Sequence, residues 1–317
     1  MRPHPVPAIR LHPQGPEVSR LVQGLWRLVE WQLDRAGLQR LVEGCLAAGI
    51  TSFDHADIYG SYQCEERFGE LLHKAPALRA QMQLVSKCDI RLLSPQRPQN
   101  VRHIYDTSRA HIVASVERSL RNFHTDHLDL LLLHRPDPLL DADETAAALG
   151  SLVHSGKVLH VGVSNFLPSQ LELLASRMGV PLVTNQVELS ALRLEAFADG
   201  SLDQAQRLGM APMAWSPLGG GALMAGDVGG NGATTQDRAA RIARVRTALA
   251  GVGAQLGGAS VGQVALAWLL RHPARIVPVL GSGRLERVQE ATHALALTLT
   301  REQWFEVWCA STGTGLP

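Results

Sequence analysis

The sequence predicts an α/β chain closed into a (β/α)8 TIM barrel, in a single domain spanning 1–317. Three observations carry that expectation. Eight short apolar runs of strand length follow one another, amphipathic helical stretches separate them, and the alternation extends over about 260 residues without a linker. The runs are 21–25, 51–54, 84–87, 128–134, 158–164, 183–188, 211–216 and 276–280. Each is continuously apolar, as strands buried on both faces of a parallel sheet should be.

The helices between them are read from periodicity and caps. Residues 37–48 place Leu38, Leu41, Val42, Cys45 and Leu46 on one face and stop at Gly49, a residue suited to a helix C-terminus. Residues 108–122 repeat the pattern with Ile112, Val113, Val116 and Leu120. Pro168 falls in the first turn of the next helix, where a missing N–H costs little. The apolar stretch 260–271 ends before Pro273. Ahead of the first strand, a Pro-rich polar segment predicts a short hairpin on the barrel floor. At the other end, Thr300-x-x-Gln303 signals a capping box, followed by Trp304, Phe305 and Trp308 in a C-terminal specificity tail. Two connections, 88–107 and 217–236, exceed ordinary loop lengths, as functional or mobile loops do; the glycine run Gly219-Gly220-Gly221 fits a flexible loop as well as a lid or a backbone contact to a ligand.

Composition narrows the class further. With 30 Lys+Arg against 29 Asp+Glu, the formal net charge of +1 argues against a nucleic-acid partner. No apolar run approaches the roughly 18 residues of a membrane helix, and the Pro-broken start has no apolar block, so neither a membrane partner nor a signal peptide is expected. The four cysteines, Cys45, Cys64, Cys88 and Cys309, lack C-x-x-C spacing; reduced thiols in a cytoplasmic protein are expected. No H-E-x-x-H or compact His/Cys/Asp cluster occurs, so no metal is expected, and the glycine patterns of Rossmann and P-loop nucleotide sites are absent. Oligomeric state is not legible.

Barrel enzymes build their sites at the C-terminal ends of the strands. Here those ends carry Asp54, Lys87 and His134 on three successive runs, with Tyr59 five residues past the aspartate. A Lys87 ammonium beside Tyr59 would favour phenolate, Asp54 would hold that lysine charged, and a neutral His134 could orient a carbonyl. Taken singly, the aspartate could cap a loop and the histidine could be a core group; together the four make a proton-donating site. Lys87 alone would also admit a Schiff-base lyase. After the eighth run, Gly281-Ser282-Gly283-Arg284-Leu285-Glu286-Arg287 opens a helix, a natural place for a phosphate, although both arginines could be plain solvated charges.

These residues resemble the aldo-keto reductase family. The resemblance rests on Phe53-Asp54-x-Ala56-x-x-Tyr59-Gly60, on Leu131-Leu132-Leu133-His134-Arg135-Pro136-Asp137 and on Gly162-Val163-Ser164-Asn165-Phe166. Asn185-Gln186-Val187-Glu188, Trp215-Ser216-Pro217-Leu218 and Gly281-Ser282 with Val288 extend it over residues 18–295, and the ending Gln303-Trp304-Phe305 is similar to the bacterial YdhF-type branch. The resemblance implies an NADPH-dependent reductase of aldehyde or ketone substrates with Tyr59 as general acid, Asp54 and Lys87 tuning it, and His134 orienting the substrate. It implies that Ser164, Asn165 and Gln186 hold the nicotinamide carboxamide, Trp215 stacks on the ring, and Ser216 and Leu218 meet the pyrophosphate. Ser282 and Arg287 would take the 2′-phosphate and Glu290 the adenine side. Gly281 and Ala291 depart from the family's usual Lys and Asn, and Arg284 is a candidate replacement for the missing charge. A tight NADPH-binding sensor without turnover is the other role the resemblance admits. Trp26, Tyr62, Arg91, Tyr105 and the aromatic tail are expected to line the substrate pocket, although Trp26 and Trp304 could equally be core.

Overall fold

The computed structural model describes residues 5–225 and 235–316. Its centre is a closed barrel of eight parallel strands: β1 (Val22–Gly24), β2 (Ser52–Asp54), β3 (Gln83–Cys88), β4 (Leu128–Leu133), β5 (Val158–Ser164), β6 (Leu182–Glu188), β7 (Met213–Trp215) and β8 (Val277–Leu280). Neighbours in sequence are neighbours in the sheet, and β8 returns to β1 through Val279 opposite Val22. All eight predicted runs are strands. The bounds agree within two residues: β5 matches its run, β3 and β6 extend a residue beyond theirs, and the other strands stop short of the run's ends.

Two apolar cores result. Val22, Val85, Leu130, Leu132, Val183, Met213, Val277 and Val279 fill the barrel interior. The opposite faces of the strands, including Phe53, Leu84, Leu131, Leu133, Val161 and Val163, pack under the helices. Strand alternation then fixes which polar residues look inward. Lys87 shares the face of Val85, and His134 continues that of Leu130 and Leu132. An antiparallel hairpin, Ala8–Arg10 with Glu17–Ser19, brings Leu11 and Val18 against the interior core and closes the floor, as expected.

Strand β6 breaks the alternation. Its pairing with β5 shifts register between Leu182 and Asn185, so Val183 and Gln186 both face inward although three residues apart. Such an irregularity re-aims a side chain without ending the strand. On β5, Gly162 permits the close approach of β6: a Cβ there would stand 2.7 Å from the Thr184 carbonyl oxygen and 2.8 Å from Leu132.

The helices begin where side-chain caps allow. Asp34 accepts from the Gly37 amide at the head of Arg35–Ala47, and Ser108 from the His111 amide at the head of Arg109–Phe123. Pro168 is the first residue of Pro168–Ala175. Ser260 with Gln263 and Thr300 with Gln303 form capping boxes on Val261–Leu270 and Arg301–Thr312. The last helix turns Trp304 onto Trp268 in a stacked pair 4.8 Å apart, with Phe197 and Trp308 closing the cluster. Trp304 therefore anchors the tail to the helical layer, the core reading of that residue. Trp26 is exposed. The predicted 217–236 connection lies partly outside the described residues; its described start carries the glycine run.

Candidate active site

At the C-terminal mouth of the barrel, β2 delivers Asp54, β3 delivers Lys87, and the residue after β4 is His134. Lys87 Nζ donates to both carboxylate oxygens of Asp54 at 2.7 Å, to the His55 carbonyl at 2.8 Å and to the Tyr59 hydroxyl at 3.1 Å. The ammonium is fully enclosed. An isolated buried charge would be very costly, and the two-oxygen grip of Asp54 compensates it. Burial lowers the lysine pKa, and Asp54 opposes that fall.

Tyr59 follows the sharp turn after β2, in which Gly60 takes φ +57°. Burial raises its phenol pKa well above the ordinary value, and the charge of Asp54 raises it further. This differs from the expectation that Lys87 would favour phenolate. The physical reason is that the lysine's charge is neutralised by Asp54, leaving desolvation to dominate. The resting group is a protonated phenol with a donor, Lys87, already at its oxygen. His134 meets Tyr59 edge-on, ring centres 5.8 Å apart. Burial first, then Lys87 and Arg135, push its pKa well below the ordinary value, so its imidazole is neutral.

A second set of residues continues around the mouth. Ser164 Oγ donates to the Gln186 carbonyl at 2.8 Å, and Asn165 Nδ2 donates to Ser164 Oγ at 2.8 Å and the His134 carbonyl at 3.2 Å. Asn165 adopts φ +61°. Its Oδ1 accepts from Trp215 Nε1 at 2.9 Å, fixing the half-buried indole. Gln186 Nε2 donates to Asp54 Oδ1 at 2.8 Å, a link from this set into the Lys87 cluster. Beyond β7, Ser216 has φ +51°, and Leu218 near φ −106°, ψ 25° precedes Gly219 at φ +62°. Successive right- and left-handed residues of this kind turn their N–H groups into an anion-binding concavity. After β8, Ser282 Oγ accepts from the Arg284 amide at 3.1 Å and its carbonyl accepts from Gln23 Nε2 at 3.0 Å. Arg284 and Arg287 are exposed beside it. Glu290, also exposed, accepts from Ser260 Oγ at 2.8 Å.

Residues 20–308 match the Aldo/keto reductase family. The chain belongs to that family. It is 48% identical to the oxidoreductase YdhF of Escherichia coli (strain K12), over 98% of this chain and 100% of that one. A 6-dehydroglucose reductase of Agrobacterium fabrum is likewise 48% identical, over 94% of this chain and 95% of its own. Among solved structures, a thermostable aldo-keto reductase, Tm1743, crystallised with the inhibitor epalrestat, superposes with TM-score 0.74 at 25% identity, covering 96% and 99% of the two chains. As an aldo-keto reductase close to YdhF, the chain falls in the branch its ending resembled.

Several participants in this aldo-keto reductase's site had no sequence signal. Gln23 ties down the Ser282 loop, and Trp31 packs so closely on Gly283 that a Cβ there would lie 2.3 Å from the indole. Asp89 receives the Arg135 amide on both oxygens at 3.2 Å, and the Arg135 guanidinium stands over the Trp215 ring at 5.7 Å. Only the position of Arg135, next to His134, hinted at such a place. Among the described residues no cluster of metal-ligating side chains occurs, and no helix is long and apolar enough to cross a membrane.

Proposed function

We propose that this aldo-keto reductase is an NADPH-dependent carbonyl reductase, one barrel domain over 1–317, that reduces a small aldehyde or ketone with Tyr59 as general acid. The carrying observation is the Lys87 ammonium bonded at once to both oxygens of Asp54 and to the Tyr59 hydroxyl. The nicotinamide cofactor, when bound, supplies the hydride. As charge develops on the carbonyl oxygen, the Tyr59 phenol gives up its proton, and the Lys87 N–H stabilises the phenolate left behind. Asp54 keeps the ammonium in place. Neutral His134 donates from a ring nitrogen to the same oxygen and sets its direction. Lys87 is not a Schiff-base nucleophile on this reading: its four acceptors already outnumber its three protons, and the Asp54 grip keeps it an ammonium.

The chain fits the cofactor. Trp215 offers an indole fixed by Asn165, Ser164 and Asn165 bring amide-recognising groups beside it, and Gln186 remains bonded to Asp54 with its carbonyl oxygen for the carboxamide. The concavity at Ser216 and Leu218 suits a pyrophosphate. The Ser282 loop with Arg287 suits the 2′-phosphate, Arg284 standing nearby in place of the family lysine lost at Gly281. Glu290 borders the adenine side. On the same reading the enzyme is cytoplasmic and needs no metal. Its buried thiols are chemically quiet, with burial pushing Cys45 up to about 12 and Cys64 to about 11.

The 6-dehydroglucose reductase among its relatives supports polyhydroxylated aldehydes as the first substrates to try. NADPH oxidation should accompany reduction of members of an aldehyde and ketone panel, and Arg287→Ala should lose most of the NADPH preference in kcat/KM. Bound NADPH with silence across the panel would leave a sensor. Equal kcat/KM for NADPH and NADH in the unaltered chain would remove the cofactor assignment.

A further inference from the structure

The long connection after β3 builds a second polar cavity, separate from the Lys87 cluster. It has a volume of about 120 Å³ and opens between the loop and the helix Arg109–Phe123. Tyr62, Arg91, Arg97, Asn100, His111 and Arg118 line it. Three guanidinium groups thus converge on a space larger than a single water needs.

Charge compensation there is incomplete. Arg91 is paired with Asp106 at 3.2 Å, and His111 lies 3.9 Å from the same carboxylate. Among the described residues, neither Arg97 nor Arg118 has an ion-pair partner. Arg118 donates to Ser115 Oγ at 2.8 Å and Arg97 to the Gln96 carbonyl at 2.8 Å, while Arg97 Nε is buried with no acceptor at all. A buried guanidinium N–H without a partner is unusual and costs free energy. Two buried acids, Asp57 and Glu65, act on Arg118 through space without forming an ion pair with it, and burial raises the pKa of both. Burial lowers the Arg118 pKa, the charge of Asp57 opposes that fall, and Arg97 lowers it further.

The wall is also held rigid. Tyr62 sits at φ +72°, after Ser61 at φ +54°. Its hydroxyl accepts from the Leu92 amide at 2.8 Å, and the Arg97 guanidinium lies over its ring at 4.8 Å. Asn100 Nδ2 donates to the Leu92 carbonyl at 2.9 Å, pinning the loop from the other side. Strained left-handed residues and a stacked guanidinium are features of a preorganised ligand site.

We propose that this cavity binds a small oxyanion, a phosphate or phosphate ester, between Arg97 and Arg118, with Asn100 as an additional donor. A tetrahedral oxyanion offers enough acceptors to reach both guanidinium groups and the orphan Nε, each through a charge-assisted hydrogen bond.

The test is calorimetric titration of inorganic phosphate at constant ionic strength, with chloride as the control anion. Arg97→Gln and Arg118→Gln should each weaken phosphate binding by about tenfold or more, whereas Arg287→Ala should leave this binding event in place. Arg97 stands on the surface loop, so its variant carries the test if Arg118→Gln fails to fold. Absence of phosphate binding, or a loss caused by Arg287→Ala and not by Arg97→Gln, overturns the proposal. The calorimetry needs no turnover and is independent of the reductase reading. Kinetics then separate the sources of the anion. If the site holds a substrate's ester end, Arg97→Gln raises KM for glyceraldehyde 3-phosphate but not for glyceraldehyde. If it holds free phosphate, both KM values stay level while the calorimetric binding is lost.

Discussion

Buried histidines beside Lys87 couple the site to the stability of the chain. His55 lies between Phe68 and Phe123 with ring centres 4.6 and 4.9 Å away, and neither ring nitrogen has a partner. Burial, with a smaller push from Lys87, takes its pKa from 6.5 to about 3. The folded chain therefore binds fewer protons than the unfolded chain between those values. Stability from this group is present above pH 6.5 and is lost as pH falls toward 3, and His134 acts in the same direction. By pH 5 the His55 loss reaches about 2 kcal/mol. Urea unfolding at pH 7 and pH 5 should accordingly show His55→Leu losing about 2 kcal/mol less than the parent on acidification. An equal loss in both proteins would show that His55 is protonated without penalty.

At the scale of elements, close backbone approach is what the sequence least reveals. Gly69 in the helix Cys64–Lys74 faces the end of Arg109–Phe123, where an added Cβ would stand 1.7 Å from the Asn122 carbonyl oxygen and 2.8 Å from Phe123 Cα. No flexible side chain can yield there, so Gly69→Ala must push the helices apart. A loss of roughly 2–3 kcal/mol in denaturant midpoint analysis is expected, and a neutral result would mean that the helices can separate freely. Nothing in the spacing of Gly69 distinguished it from a tolerated helix glycine. Most strands were legible because burial on both faces makes them largely apolar runs, as in Leu128–Leu133 and Val277–Leu280. For the same reason, their polar ends stood out: Asp54, Lys87 and His134 interrupt those runs on the inward face. Gln186 is the exception. Regular alternation from Val183 would turn it away from the interior, and only the register shift in β6 brings it to Asp54. The capping boxes were readable because they are local; the Gln23 and Trp31 contacts to the Ser282 loop were not, since more than 250 residues separate Gln23 from its partner.

Across the whole molecule, 30 Lys+Arg nearly balance 29 Asp+Glu, and a few of the arginines stand where phosphates are expected. A net charge of +1 is compatible with anion binding when a few arginines are placed: Arg284 and Arg287 beyond β8, and Arg97 and Arg118 beyond β3. The aromatic cluster of Phe197, Trp268, Trp304 and Trp308 keeps the tail on the helical layer, and Ser311 Oγ near its end donates to the Ala191 carbonyl beyond β6. Tyr59 stands at the centre of the account, because the barrel, the buried Lys87–Asp54 pair and neutral His134 all converge on its hydroxyl. The most direct test is therefore Tyr59→Phe, with NADPH affinity followed by fluorescence and aldehyde-dependent NADPH oxidation followed in parallel. NADPH should bind as in the parent, while kcat falls by about 100- to 10,000-fold. Turnover near the parent's rate in a variant that still binds NADPH would contradict the assignment of Tyr59 as the proton donor.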